Sequence, residues 1–154
     1  METTSIKRLG TLHPAIRDKA IEAYYEAVKL TPIGVHPFIT QTTRTFAESD
    51  ALYAKGRTKP GSIVTNARAG QSYHNYSLAL DFMLQIDGKD SWVVDKNWIV
   101  VVNVFKSHGF KAGIDFKSFP DAPHFEMTFG LNWREMLRRH NAKEFIEGTN
   151  YIKI

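Results

Sequence analysis

Leu78-Ala79-Leu80-Asp81-Phe82-Met83-Leu84-Gln85-Ile86, followed by Asp87-Gly88-Lys89-Asp90 and then Trp92-Val93-Val94, decides the fold class. The first run is mostly apolar and free of glycine and proline, which reads as a strand. Asp-Gly between two such runs is a strong hairpin signal. The chain is therefore expected to turn back at 87–90, with Trp92, Val93 and Val94 forming the returning strand.

Working outward, Asp95 can cap a helix running to about His108. Trp98, Val101, Val102 and Phe105 form its buried stripe, and Gly109 ends it. Upstream, Pro14 suits a first helical turn, and Ile16, Ala20, Tyr24 and Ala27 recur at helical spacing until Thr31-Pro32. Phe38-Ile39-Thr40 reads as a short strand. Thr45-Phe46-Ala47-Glu48 is a capping box opening a helix that Gly56 closes. Downstream, Phe125 to Phe129 alternates as a strand, and Asn132 caps a last helix with Trp133, Met136 and Leu137. The sum is an α+β fold, a small antiparallel sheet flanked by helices. At 154 residues and 43% hydrophobic, the chain fits one domain over 1–154, with little room for a second folded module.

Composition narrows the function classes. The net charge of +4 is mild and no Lys/Arg run exceeds two residues, so nucleic acid is not favoured as a partner. No cysteine is present, which excludes disulfides, thiolate metal sites and a cysteine nucleophile. Met1 to Arg8 lacks the apolar stretch of a signal peptide, and nothing approaches ~18 continuous apolar residues. The expectation is a monomer made in the cytoplasm, without membrane insertion.

From Arg57 to Asn75 the chain is polar and without period, and a loop that long inside a small domain is usually functional. It leads into Ser72-Tyr73-His74, while Asp121-Ala122-Pro123-His124-Phe125-Glu126 lies further on. His74, Asp81 and His124 supply nitrogen and oxygen donors of the kind zinc takes in fours, with the last position open in catalytic sites. Seven positions separate His74 from Asp81, so His74 must reach in from the loop rather than along the strand. The residue types alone fit either a metal site or polar residues satisfied beside a strand. They also leave two acids as candidates for a base, Asp121 and Glu126; Glu126 equally suits orienting His124 from behind.

These segments resemble the zinc peptidases that cut peptidoglycan stem peptides, the D-alanyl-D-alanine carboxypeptidases and the L-alanyl-D-glutamate endopeptidases of phage endolysins. Ser72, His74, Ala79, Asp81, Asp121 and His124 match that pattern position for position, and the likeness runs from about residue 35 to 130. Ile39 to Thr45 and Leu52 to Gly61 resemble the family's arginine-bearing segment and a stretch of its endolysin branch. The chain departs at Ser77, where glycine is usual, and at Ile114, where Gly-Gly-Asp is common before Asp115. Ser77 would be strained if that position needs a positive φ.

The resemblance implies Zn2+ held by His74, Asp81 and His124, with Asp121 as catalytic base. Arg44 is then the candidate for an oxyanion or a substrate carboxylate, and Gln41 and Ser72 are candidates for substrate hydrogen bonds. The implied activity is hydrolysis of peptidoglycan stem peptides, as an L-alanyl-D-glutamate endopeptidase serving a phage or prophage endolysin that acts on the wall once the membrane is breached. A D-alanyl-D-alanine carboxypeptidase and a catalytically silent, zinc-containing wall-binding domain are the two alternatives. His13, His36, His108 and His140 read as surface or capping residues, Asp115 as structural, and Arg138-Arg139-His140 as a solvated helix end.

Overall fold

The computed structural model describes residues 2–154. Ten regular elements follow in order: α1 Glu2–Leu9, α2 Pro14–Leu30, β1 Val35–Gln41, α3 Phe46–Ala54, β2 Ala79–Ile86, β3 Lys89–Ser91, α4 Lys96–Ser107, β4 Lys111–Ala112, β5 His124–Glu126 and α5 Trp133–Asn141. Single 3₁₀ turns, Tyr73–Tyr76 and Gly113–Asp115, interrupt the loops. This is the expected α+β arrangement, with an open antiparallel sheet and five helices.

β2 is the central strand. β1 covers one of its edges, with Val35 opposite Ile86 and Gln41 opposite Asp81. Its other edge is shared: β5 pairs with Ala79–Asp81 and β3 with Leu84–Ile86. β4 then adds to the outside of β5. Side chains alternate across a strand, so Leu80, Phe82 and Leu84 share one face and Ala79, Asp81 and Met83 the other.

The Leu80 face is the core. Phe125 stacks on Phe82 and Phe105 at 5.3 and 4.4 Å between ring centres, and Trp98 of α4 lies 4.3 Å from Phe82. All of these rings are buried, each contributing about 1.5–3 kcal/mol. Ile16, Ala20, Tyr24 and Ala27 of α2 are also fully buried, as their spacing predicts. This anchored sheet leaves the Asp81 face free to carry polar groups.

Local signals set the ends. Thr45 accepts from Glu48 N at 3.1 Å, Asp95 from Asn97 N and Trp98 N, and Asn132 from Glu135 N. His13 caps α2 through its ring, yet it is buried rather than on the surface, its Nε2 2.7 Å from the Ile152 carbonyl.

Three expectations are corrected. The returning hairpin strand is Lys89–Ser91, because the turn is only two residues long; Asp87 and Gly88 take φ 50° and 79°, the left-handed pair of a tight hairpin. Trp92 to Val94 lies beyond it and is exposed. The strand expected over Phe125–Phe129 spans only His124–Glu126. Arg138 and Arg139 lie in the last turn of α5, the solvated helix end expected, and pair there with Glu135 and Glu144. His140 packs 4.6 Å from Phe46. The helix Glu2–Leu9 has no counterpart in the sequence reading; it is held by Ser5 and Arg8, which bond the Ile39 backbone of β1.

Candidate metal centre

The β2–β5 register sets Asp81 directly opposite His124. Directly opposed residues have neighbouring Cβ atoms and share a face, so a separation of 43 positions collapses to 3.1 Å between His124 Nδ1 and Asp81 Oδ1. His74 arrives from the loop side, as its spacing requires, on the 3₁₀ turn Tyr73–Tyr76. Ser72 caps that turn by accepting from His74 N, with Asn75 completing a reciprocal cap. His74 Nε2 then lies 3.3 Å from the same Asp81 oxygen. One ligand atom from each of the three residues falls within 4.8 Å of the others.

The outward nitrogens are tied. His74 Nδ1 lies 2.7 Å from the Thr42 carbonyl, and His124 Nε2 lies 2.9 Å from Glu126 Oε1. These contacts fix each ring's orientation and leave Nε2 of His74 and Nδ1 of His124 facing Asp81. Burial by itself would raise the Asp81 carboxyl, but hydrogen bonds from His124 and His74 prevail and hold it well below the usual carboxylate range. Burial would likewise lower His124, yet Asp81 and Glu126 push it up to about 9. A cation among these ligand atoms is favoured by the same carboxylates that favour a proton on His124. Two imidazoles and a carboxylate, with a carbonyl and a second carboxylate behind them, fit a divalent metal of the zinc type.

Asp121 stands at the mouth. Its Oδ2 is 4.0 Å from His124 Nδ1, and its side chain is half exposed. Burial and the nearby Asp81 charge raise its carboxyl, against the opposing pull of His124, His74 and Arg44. Its loop is pinned by Asp121 N donating to the Gly113 carbonyl at 2.9 Å and His124 N donating to the Asp121 carbonyl at 3.1 Å. A Cβ on Gly113 would lie 2.3 Å from that Asp121 oxygen and 2.9 Å from His124 Cβ. Only glycine lets the two segments come this close.

Arg44 lines a cavity of about 340 Å³ together with Ser72, His74, Asp81, Asp121 and His124. Its backbone N–H donates to the His74 carbonyl, and its buried Nε has no hydrogen-bond partner among the described residues. Asn75 locks this segment: its amide donates to the Arg44 carbonyl at 3.0 Å and to Ser49 Oγ at 2.8 Å, while its oxygen accepts from Gly70 N and Ser72 N.

The fold thus gathers six of the residues singled out in the sequence. Gln41 lies outside that cavity, in an adjoining one beside Arg44 and Lys55, with its amide donating to the Thr43 carbonyl. Glu126 is buried behind His124. Ser77 does take a positive φ, 59°, in the position where the family has glycine, and its hydroxyl meets Thr43 Oγ1 at 2.8 Å. Asp115 pairs with Lys106. Thr42, Asn75 and Gly113 escaped the sequence reading. The only trace of their importance was Asn75 at capping distance from Ser72.

Residues 65–127 match the peptidase family M15 as D-alanyl-D-alanine carboxypeptidase. Over 127 residues the chain is 43% identical to the peptidoglycan L-alanyl-D-glutamate endopeptidase CwlK of Bacillus subtilis, covering 75% of this chain and 73% of that protein. The chain belongs to the M15 peptidase family. The fold agrees: the crystal structure of the Serratia marcescens L-Ala D-Glu endopeptidase ChiX superposes with a TM-score of 0.62 at 18% identity, over 89% of this chain and 92% of that one. Peptidases of this family are metal-dependent, and the His74–Asp81–His124 group has the donors such a site needs.

Proposed function

We propose that this protein is a zinc-dependent peptidoglycan peptidase that hydrolyses the L-alanyl–D-glutamyl bond of stem peptides. The observation that carries the reading is the half-exposed Asp121 carboxylate at the open side of a buried His74–Asp81–His124 group, inside one cavity with Arg44. His74 Nε2, Asp81 and His124 Nδ1 would hold the ion. Bound there, zinc supplies Lewis acidity to a substrate carbonyl.

The chain's own groups do the rest. Asp121, its carboxyl raised by burial and by Asp81, takes the proton of the attacking water and delivers it to the leaving amine. Arg44 brings a permanent charge and a planar fork of donors to the same cavity, suited to a developing oxyanion or to a substrate carboxylate. Ser72 holds His74 in place and lines the cavity, and Gln41 faces the substrate's flank beside Arg44. Glu126 keeps His124 in its tautomer.

The protein works as a monomeric single domain and serves as an endolysin, reaching the wall after the membrane has been breached. Among the described residues no helix is long and apolar enough to cross a membrane. Digestion of purified peptidoglycan with the zinc-loaded protein, followed by mass spectrometry, tests the reading. New amino-terminal D-glutamate is expected. Released D-alanine alone would make it a D,D-carboxypeptidase, the activity after which the matched family is described. Binding to the wall without any product would make it a silent zinc-containing domain.

A further inference from the structure

Two grooves adjoin the catalytic cavity through different residues, and their chemistry differs. One runs past Arg44 and Leu52, which it shares with the cavity, to Gln41, Glu48 and Lys55. The other shares Val64, Thr65 and Asp121 with the cavity and opens to about 580 Å³ between Ile63, Asn66, Gln71, Phe119 and Trp133. The first offers two cations, Arg44 and Lys55, against one carboxylate, Glu48. Among the described residues lining the second, Asp121, shared with the cavity, is the only charged one.

Phe119 is the unusual feature of the second groove. Its φ of 54° lies in the left-handed region that bulky residues avoid. Phe119 is 81% exposed, with Ile63 and Val64 at 58% and 60% on the same groove. The fold thus accepts an unfavourable backbone conformation and gains little burial from the side chain. Strained residues of this kind cluster where a ligand binds, and a contiguous apolar patch beside a cavity marks a contact surface.

The amides of the groove add polarity without charge. Asn66 Oδ1 accepts from Arg57, and Gln71 Oε1 accepts from Arg68 N. Both oxygens are engaged within the protein, so each side chain has its NH₂ group left for a ligand carbonyl or hydroxyl. Apolar faces with a few fixed polar groups are the usual make-up of a small-molecule subsite.

We infer that this groove is a subsite for a neutral acetamido sugar ring of the glycan strand to which the stem peptide is attached. The inference rests on the peptidoglycan reading above. A stem peptide brings carboxylates, which suit the Arg44–Lys55 groove and are repelled by Asp121. The sugar brings an uncharged ring with an apolar face, which suits Phe119 and Trp133, and an acetamide, which suits Asn66 and Gln71. The substrate is thereby read at both ends, by charge on one side and by ring stacking on the other.

The test compares kcat/KM for a sugar-linked muropeptide and for the same stem peptide with its sugar removed. The wild type should favour the sugar-linked form. Phe119→Ala should lower the ratio of the two values about tenfold, a modest part of what burying one aromatic ring is worth. Phe119→Tyr, which keeps the ring, should retain the ratio. Equal wild-type values, or a parallel loss on both substrates in Phe119→Ala, would overturn the inference. Should the zinc-loaded wild type cut neither substrate, the peptidase reading fails instead. The groove is then read separately by titrating a soluble N-acetylglucosamine oligomer into the protein and following backbone amide resonances. Shifts confined to Ile63–Asn66, Gln71 and Phe119 support the subsite, and their absence overturns it.

Discussion

Two clusters of charged side chains use nearly the same contact lengths to opposite ends. Around His124 the contacts to Asp81 and Glu126 are 3.1 and 2.9 Å. On α5, Glu135 meets Arg138 and Arg139 at 2.8 and 3.0 Å, and Arg138 meets Glu144 at 3.0 Å. The His124 and Glu126 side chains are 10% exposed, whereas Arg138 is 54% exposed. In the first cluster water is displaced, so removing one member leaves the others with unmet charge. In the second, solvent and salt replace whatever is lost. Burial, rather than distance, separates a site from a decorated surface.

Breaking the buried cluster should have the largest effect. His74→Ala, Asp81→Ala and His124→Ala should each lose bound metal and all activity, because a three-ligand site cannot give up one and hold tightly. Elemental analysis of purified variants checks this, and full zinc content in His124→Ala would refute the ligand assignment. Asp121→Asn should come next. It should keep metal and fold while losing about two to four orders of magnitude in rate; if Glu126→Gln shows that loss and Asp121→Asn does not, the two acids exchange roles.

Arg44→Lys sharpens the comparison within the cavity, since it preserves charge and removes the planar fork. The expected loss is about 3 kcal/mol of transition-state stabilisation, read from kcat/KM with metal content unchanged. Wild-type turnover would show that a point charge suffices. Glu126→Gln keeps the volume behind His124 but weakens its hold on the ring, and should lower metal affinity about 10–100-fold, measured by competition with a chelator.

The exposed cluster should give the smallest response. Glu135 is pulled down from the usual 4.5 to about 2 by Arg138 first and Arg139 second. A depressed folded-state value means a stabilising contribution present above pH 4.5 and lost as pH falls through about 2. Glu135→Gln should therefore lower the melting temperature slightly at neutral pH, hardly at all near pH 2, and less in high salt. Activity should be unaffected at every pH where the protein is folded. A change in peptidoglycan turnover would mean that α5 couples to the site through Leu137, which lies against Gly70.

How legible the molecule is from its residues depends on range. Helices 14–30, 46–54, 96–107 and 133–141 follow from apolar spacing and from caps at His13-Pro14, Thr45, Asp95 and Asn132, all interactions closed within one turn. The Asp-Gly turn is local in the same sense, but its two-residue length belongs to the paired strands, so the returning strand begins three residues before the apolar run 92–94. The helix at 2–9 carries few local signals and is stabilised by β1, some thirty positions away.

The sequence by itself determined the chemistry on offer: two histidines, a set of carboxylates, an arginine and no thiol, in an order resembling one peptidase family. It could even exclude a continuous strand from His74 to Asp81, because side-chain alternation is a local rule. Tertiary structure alone decided which atoms meet. The register of β2 on β5 brings Asp81 to His124, the Thr42 carbonyl and Glu126 select one nitrogen on each ring, and Gly113 admits the loop that carries Asp121. It also set Gln41 in the adjoining groove and Phe119 out beside the cavity. The physical reason is that pairing register and burial arise between segments distant in the chain, where no short-range preference acts.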